Sequence, residues 1–87
     1  KPKTRRASRD EILALRSEVR KCEARLEKLN AMRDKLAEKL ADPALYEDTR
    51  IGELATWNSK YAEVMDALER AENLWMAAQD KLEKASP

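Results

Sequence analysis

Residues 41–50 read Ala-Asp-Pro-Ala-Leu-Tyr-Glu-Asp-Thr-Arg. For about thirty residues before this stretch, apolar side chains recur at a three-then-four spacing, the period of a helix presenting one face to a partner. At Asp42-Pro43 the pattern stops, and from Ile51 it resumes. Pro43 cannot sit inside a continuous helix, because it has no amide to donate and restricts the residue before it. Asp42 followed by Pro43 also suits the cap and first position of a new helical turn. Leu45 and Tyr46 can then fold back onto the helix ends. A connection of about seven residues is an ordinary helix–helix linker and returns the chain alongside itself. The break is the tip of a hairpin.

The arms on either side support this reading. With Ile12 as heptad position a, the first arm places Ile12, Leu15, Val19, Cys22, Leu26, Leu29, Arg33, Leu36 and Leu40 at successive a and d sites. All but Arg33 are apolar or Cys, which is coiled-coil periodicity. Ser8-Arg9-Asp10-Glu11 is a capping box at its start, and Asp10 and Glu11 suit the positive end of the helix dipole. The second arm gives Ile51, Leu54, Asn58, Tyr61, Met65, Leu68, Glu72, Trp75, Gln79 and Leu82 at the same positions. There the d sites are all large and the a sites half polar. Trp57, Val64, Ala71 and Ala78, at g, widen the apolar face. Asp48 or Thr49 is the expected cap of this arm.

In an antiparallel pair the numbers of facing residues have a constant sum. A sum of 94 sets Leu40 by Leu54, Leu29 by Met65, Leu26 by Leu68, Val19 by Trp75 and Ile12 by Leu82. It sets Arg33 beside Tyr61, its stem packed and its guanidinium free, and Cys22 against Glu72. A register shifted by half a heptad is the alternative. At 1.5 Å per residue the rod should be roughly 50 Å long. The expected fold class is therefore all-α: an antiparallel two-helix coiled-coil hairpin with a basic N-terminal linker. The linker covers residues 1–8 and the hairpin 9–87, with helix 1 over about 9–41, the tip over 42–48 and helix 2 over about 49–84.

Composition narrows the function. The chain has 87 residues, of which 40% are charged, with no His, one Cys, one Gly and no Phe. Without His, and with Cys22 alone, there is no thiolate–imidazole metal site and no internal disulfide. A single glycine builds no phosphate loop. Carboxylates are numerous but spread over amphipathic arms, so no catalytic constellation stands out and the chain is not expected to be an enzyme. No apolar run reaches the roughly 18–20 residues of a membrane span. The first residue is Lys1 and the opening is loosely basic, which suggests a segment of a longer protein. Cys22, at a d site, reads as a small core residue.

Charge is distributed unevenly. Residues 1–41 carry 13 Lys and Arg against 7 acids, a net of +6, and residues 42–87 carry 5 against 10, a net of −5. The arms should attract, although each exposed pair contributes little. A two-helix core of this size should yield about 3–5 kcal/mol. The opening Lys-Pro-Lys-Thr-Arg-Arg-Ala-Ser-Arg has five cations and no acid, so it is either a solvated linker or an arm for phosphates. Lys21, Lys28 and Lys35 repeat at the outward c site. Arg16 and Arg20, Lys21 and Arg25, and Lys35 and Lys39 are like-charged i, i+4 neighbours, which mildly destabilise a helix until an anion relieves them. The candidate nucleic-acid contacts are Lys1, Lys3, Arg5, Arg6, Arg9, Arg16, Arg20, Lys21, Lys28 and Lys35. Of the two tryptophans, Trp75 reads as packing and Trp57, near the tip, as the surface contact.

Asp42-Pro43-Ala44-Leu45-Tyr46 between two charged heptad helices, with Ala71-Glu72-Asn73-Leu74-Trp75 and a late Leu82-Glu83, resembles the C-terminal coiled-coil domain of ABC-F ATPases, the Uup-like group. The likeness runs from about Arg9 to Lys84. The lead-in differs: Ala7-Ser8-Arg9-Asp10 stands where many members have a Leu-Ser-Tyr-Lys type of sequence. The resemblance implies a cytoplasmic parent with two tandem ATP-binding cassettes and no membrane domain, acting on ribosomes in translation. ATP and Mg would belong to those cassettes, with no cofactor in this chain. It further implies a nucleic-acid partner, ribosomal RNA or structured DNA. The rivals are a hairpin that contacts ribosomal proteins or the parent's own cassettes, and a homodimerising spacer. Matched arms predict a monomer: sedimentation equilibrium at tens of micromolar should return the 10.0 kDa of one chain. A stable species of twice that mass would mean that the arms pair between chains.

Overall fold

The computed structural model describes residues 8–47 and 50–86 and has two long antiparallel helices, α1 (Arg9–Leu40) and α2 (Ile51–Ala85), with a 3-10 turn at Pro43–Tyr46 in the connection between them. The described residues are 94% helical, and the hairpin is 59 Å long. It exceeds the expected 50 Å because α2 runs 35 residues and the tip turn adds to its end.

The start of α1 is the capping box read from the sequence. The Glu11 amide donates to Ser8 Oγ at 3.1 Å, and the Ser8 amide donates to Glu11 Oε1 at 2.7 Å. At the tip, Asp42 caps the 3-10 turn by accepting from the Ala44 amide at 3.0 Å. The Tyr46 hydroxyl donates to the Leu40 carbonyl at 2.6 Å, satisfying one of the acceptors that a helix end leaves open. Leu45, 1% exposed, plugs the end of the rod. No described residue has a positive φ. Backbone bonds from the Leu45 amide to the Asp42 carbonyl and from the Arg50 amide to the Glu47 carbonyl, at 3.1 and 2.9 Å, add to these side-chain bonds in the reversal. Asp48 and Thr49, expected as the cap of helix 2, lie outside the described residues. The residue that heads α2 is Arg50, which makes no capping bond.

The seam corrects the expected register. On α2 the inward residues are the d sites (Leu54, Tyr61, Leu68, Trp75, Leu82) together with the g sites Trp57, Val64, Ala71 and Ala78. Among the a sites Ile51, Asn58, Met65 and Glu72 are exposed, and only Gln79 is half-buried. Two contacts locate the pairing: Trp75 Nε1 donates to Glu23 Oε2 at 3.2 Å, and Lys39 Nζ lies 5.4 Å from the Trp57 ring centroid. Facing residue numbers therefore sum to about 97, the half-heptad alternative, and not to 94. Leu29 then meets Leu68, not Met65. Leu26 meets Ala71, Val19 meets Ala78, and Cys22 meets Trp75, not Glu72. The physical reason is twofold. The register of 94 would bury Glu72 and Asn58 without partners, a cost of kilocalories per group. The observed one also sets large residues against Ala71 and Ala78, 2% and 3% exposed, which close the seam tightly. The same sum sets Arg33 by Val64, not Tyr61; Arg33 is half-buried, and its guanidinium, expected to be free, donates to Asp34 at 3.1 and 3.2 Å.

Two substitutions report on this seam. Leu68→Ala, at a site 5% exposed, should cost about 2–4 kcal/mol in a urea melt, whereas Met65→Ala, 41% exposed, should cost under about 1 kcal/mol. The reverse order would restore the register of 94. Gly52 stands in the first turn of α2 with nothing near the position of an added Cβ. Gly52→Ala should therefore raise stability by about 0.5–1 kcal/mol in the same melt.

Candidate nucleic-acid interface

A hairpin with one seam has two flanks, and α1 charges them differently. Lys21, Arg25, Lys28, Lys35 and Lys39 follow one another at helical spacing, interrupted only by the half-exposed Met32. From Lys21 to Lys39 the row runs 19 residues, roughly 27 Å at 1.5 Å per residue. Lys21, Ala24, Arg25 and Lys28 line one shallow surface hollow. Lys21, Arg25, Lys28 and Lys35 are exposed and have no ion-pair partner among the described residues. Lys39 is half-buried over Trp57 and feels Glu53 across the hairpin. Lys60 and Lys81 lie one and four heptads beyond Glu53, which carries the basic flank onto α2.

The ten sequence candidates divide accordingly. Lys21, Lys28 and Lys35 share the basic flank. Arg9, Arg16 and Arg20, all exposed, run on at three- and four-residue steps to Glu23 and Glu27 and so belong to the opposite flank. Lys1, Lys3, Arg5 and Arg6 lie outside the described residues. Arg25 and Lys39 complete the basic row yet were absent from the candidates. Their like-charged i, i+4 relations to Lys21 and Lys35 were the available signal. Trp57, expected as a surface contact, is half-buried in the seam beneath Lys39.

Among the described residues the opposing charges of the two arms do not meet in cross-hairpin ion pairs. Among described residues the ion pairs are Arg33–Asp34, Arg50–Glu53 and Lys84–Asp80, each within one arm. At the tip, the Arg50–Glu53 hydrogen bond holds the Glu53 carboxyl below its ordinary range and raises the Arg50 guanidinium. Both groups are solvent-exposed, so the pair trims the start of α2 and adds little to stability. No described group of three or more His, Cys, Asp or Glu is arranged to hold a metal, and no described helix is long and apolar enough to cross a membrane. What the described surface offers is a row of uncompensated cations along one flank of a rod.

A family model described as ABC transporter C-terminal domain matches residues 13–84. The match begins in the second turn of α1, crosses the Asp42-Pro43 tip and ends in the last turn of α2, so it covers both arms and the turn between them. No curated protein and no solved structure matches the chain. With the hairpin and most of its length accounted for by one model, the chain belongs to the ABC transporter C-terminal domain family.

Proposed function

We propose that this hairpin is the nucleic-acid-binding C-terminal arm of an ABC-F ATPase that acts in translation in the cytoplasm, seating its parent on ribosomal RNA or another structured nucleic acid. The observation that carries this reading is the row Lys21, Arg25, Lys28, Lys35, unpaired and exposed along one flank of α1. Four cations held at fixed spacing by a helix that the seam keeps straight present a preorganised array to phosphates. The like-charge repulsion already present in the row is relieved when an anion arrives. Such contacts position the rod on a backbone and carry no base information. Recognition would follow the shape of a folded nucleic acid, as expected for A-form RNA, whose deep groove side chains cannot read. The basic opening, Lys1 to Arg9, supplies further cations to the same ligand. ATP and Mg would act in the parent's cassettes, and this chain contributes position alone.

A second reading, a hairpin that contacts ribosomal proteins or the parent's cassettes, is favoured by one observation: an apolar groove on the opposite flank.

Fluorescence anisotropy with a structured RNA and a duplex DNA across a salt series tests the proposal. With about five cations on duplex phosphates, the log–log salt slope should lie near −4.5, and affinity should fall several hundred-fold between roughly 50 and 200 mM salt. Changing Lys21, Lys28 and Lys35 together to Glu should abolish binding at unchanged helicity, because none of the three is buried. Changing Arg5, Arg6 and Arg9 to Glu should have the same effect through the arm. No binding to either ligand at about 50 mM salt would sink the proposal and leave the protein-contacting reading.

A further inference from the structure

The flank opposite the lysine row holds a groove of about 540 Å³, lined by Glu23, Leu26, Glu27 and Asn30 of α1 and by Glu72, Trp75 and Met76 of α2. Its floor is apolar: Leu26 and Trp75 are half-buried, and Met76 is 54% exposed. Its rim is acidic. Glu23, Glu27 and Glu72 have no cationic partner among the described residues. Glu23 uses one carboxylate oxygen to fix the Trp75 indole, at 3.2 Å, and so holds the ring at the edge of the groove. Glu69, three residues before Glu72, adds a fourth acid to the same side of α2.

We infer that this groove is a docking site for an arginine-rich segment of a partner protein. The occupant must bring an apolar stem for the Leu26–Trp75–Met76 floor and a cation for the carboxylate rim. Arginine has both, since its methylenes cover apolar surface while its guanidinium reaches outward. That guanidinium can lie flat on the indole while it bonds a carboxylate through two nitrogens, a planar, bidentate geometry that the ammonium of lysine, a point charge, does not supply. The carboxylates of the rim repel a polyanion from the groove itself, so its occupant is a different molecule from the ligand of the lysine row. The chain's own residues 1–7 are a poor fit. From Ser8 to Glu23 is about 22 Å along the helix, nearly the full reach of seven extended residues, and Arg16 and Arg20 stand on the way. The hairpin therefore carries two ligands on two flanks.

The test titrates the 15N-labelled 87-residue chain with a soluble dodecamer of repeated Arg-Ala-Leu, acetylated and amidated, and follows amide and indole resonances. Saturable shifts should centre on residues 23–30 and 72–76, with the Trp75 indole N–H moving and that of Trp57 still. Glu27→Gln with Glu72→Gln should weaken binding at least about tenfold at unchanged helicity, because the rim charges are lost. Lys28→Glu with Lys35→Glu, on the other flank, should leave the peptide's affinity within about twofold. Replacing Arg by Lys in the peptide should also weaken binding, and replacing it by Glu should abolish it. The inference is overturned if the shifts spread over every acidic residue, or if the Gln pair binds as well as the unaltered chain. It is equally overturned if the protein self-associates at the groove without peptide, which would assign the groove to a second copy. Removal of residues 1–7 should leave the Trp75 indole resonance unmoved; a large displacement would mean that the chain's own arm fills the groove. Loss of peptide binding with RNA binding intact, or the reverse, separates this inference from the proposed function.

Discussion

A two-helix hairpin can bury only one stripe of each helix, and everything else about this chain depends on how that single stripe is filled. On α2 the stripe is Leu54, Trp57, Tyr61, Val64, Leu68, Ala71, Trp75, Ala78 and Leu82, alternating large residues with small ones toward the open end. Ala71 and Ala78 are among the most completely buried residues of the rod, so the large residues of α1 pack directly over them. No second layer exists to hide a polar group, and among described residues no polar or charged residue is buried. Every charge is therefore forced onto a flank or the outer face. The charge pattern of the surface is a consequence of the seam.

The fold was legible because its signals were local and mutually consistent. Ser8 and Glu11 announce the start of α1, Pro43 forbids continuation, and Asp42 and Tyr46 have short-range bonds to make at the tip. The register was less legible because α2 carries apolar residues at three heptad positions, and any two of them can form a seam. What decides between them is the cost of the residues each choice would bury. Weighing Asn58 and Glu72 against Ala71 and Ala78 favours the d and g sites, and that comparison needs the partner helix. The surface suffered from the same problem. Heptad letters identified Lys21, Lys28 and Lys35, but Arg25 and Lys39 join them only through the diagonal three- and four-residue steps, and the same geometry sends Arg16 and Arg20 to the other side.

Membership in the ABC transporter C-terminal domain family frames what these flanks are for. What a two-helix rod of this kind presents to its surroundings is shape and charge. A rod 59 Å long can carry contacts well away from its point of attachment. With the lysine row on one flank and an acidic, Trp-floored groove on the other, the two proposed ligands, a nucleic acid and a basic protein segment, would be held on opposite sides of the rod.

Site-directed photocrosslinking tests the two-flank account most directly. A photoreactive side chain at Ala24, within the Lys21–Lys28 hollow, or at Met76, within the groove, would be irradiated in the presence of structured RNA and the arginine-rich peptide together. The account predicts RNA adducts from position 24 and peptide adducts from position 76, with little exchange between them. RNA adducts from position 76 in yield equal to those from position 24 would contradict it, because nucleic acid would then be held without regard to the flank on which the cations stand.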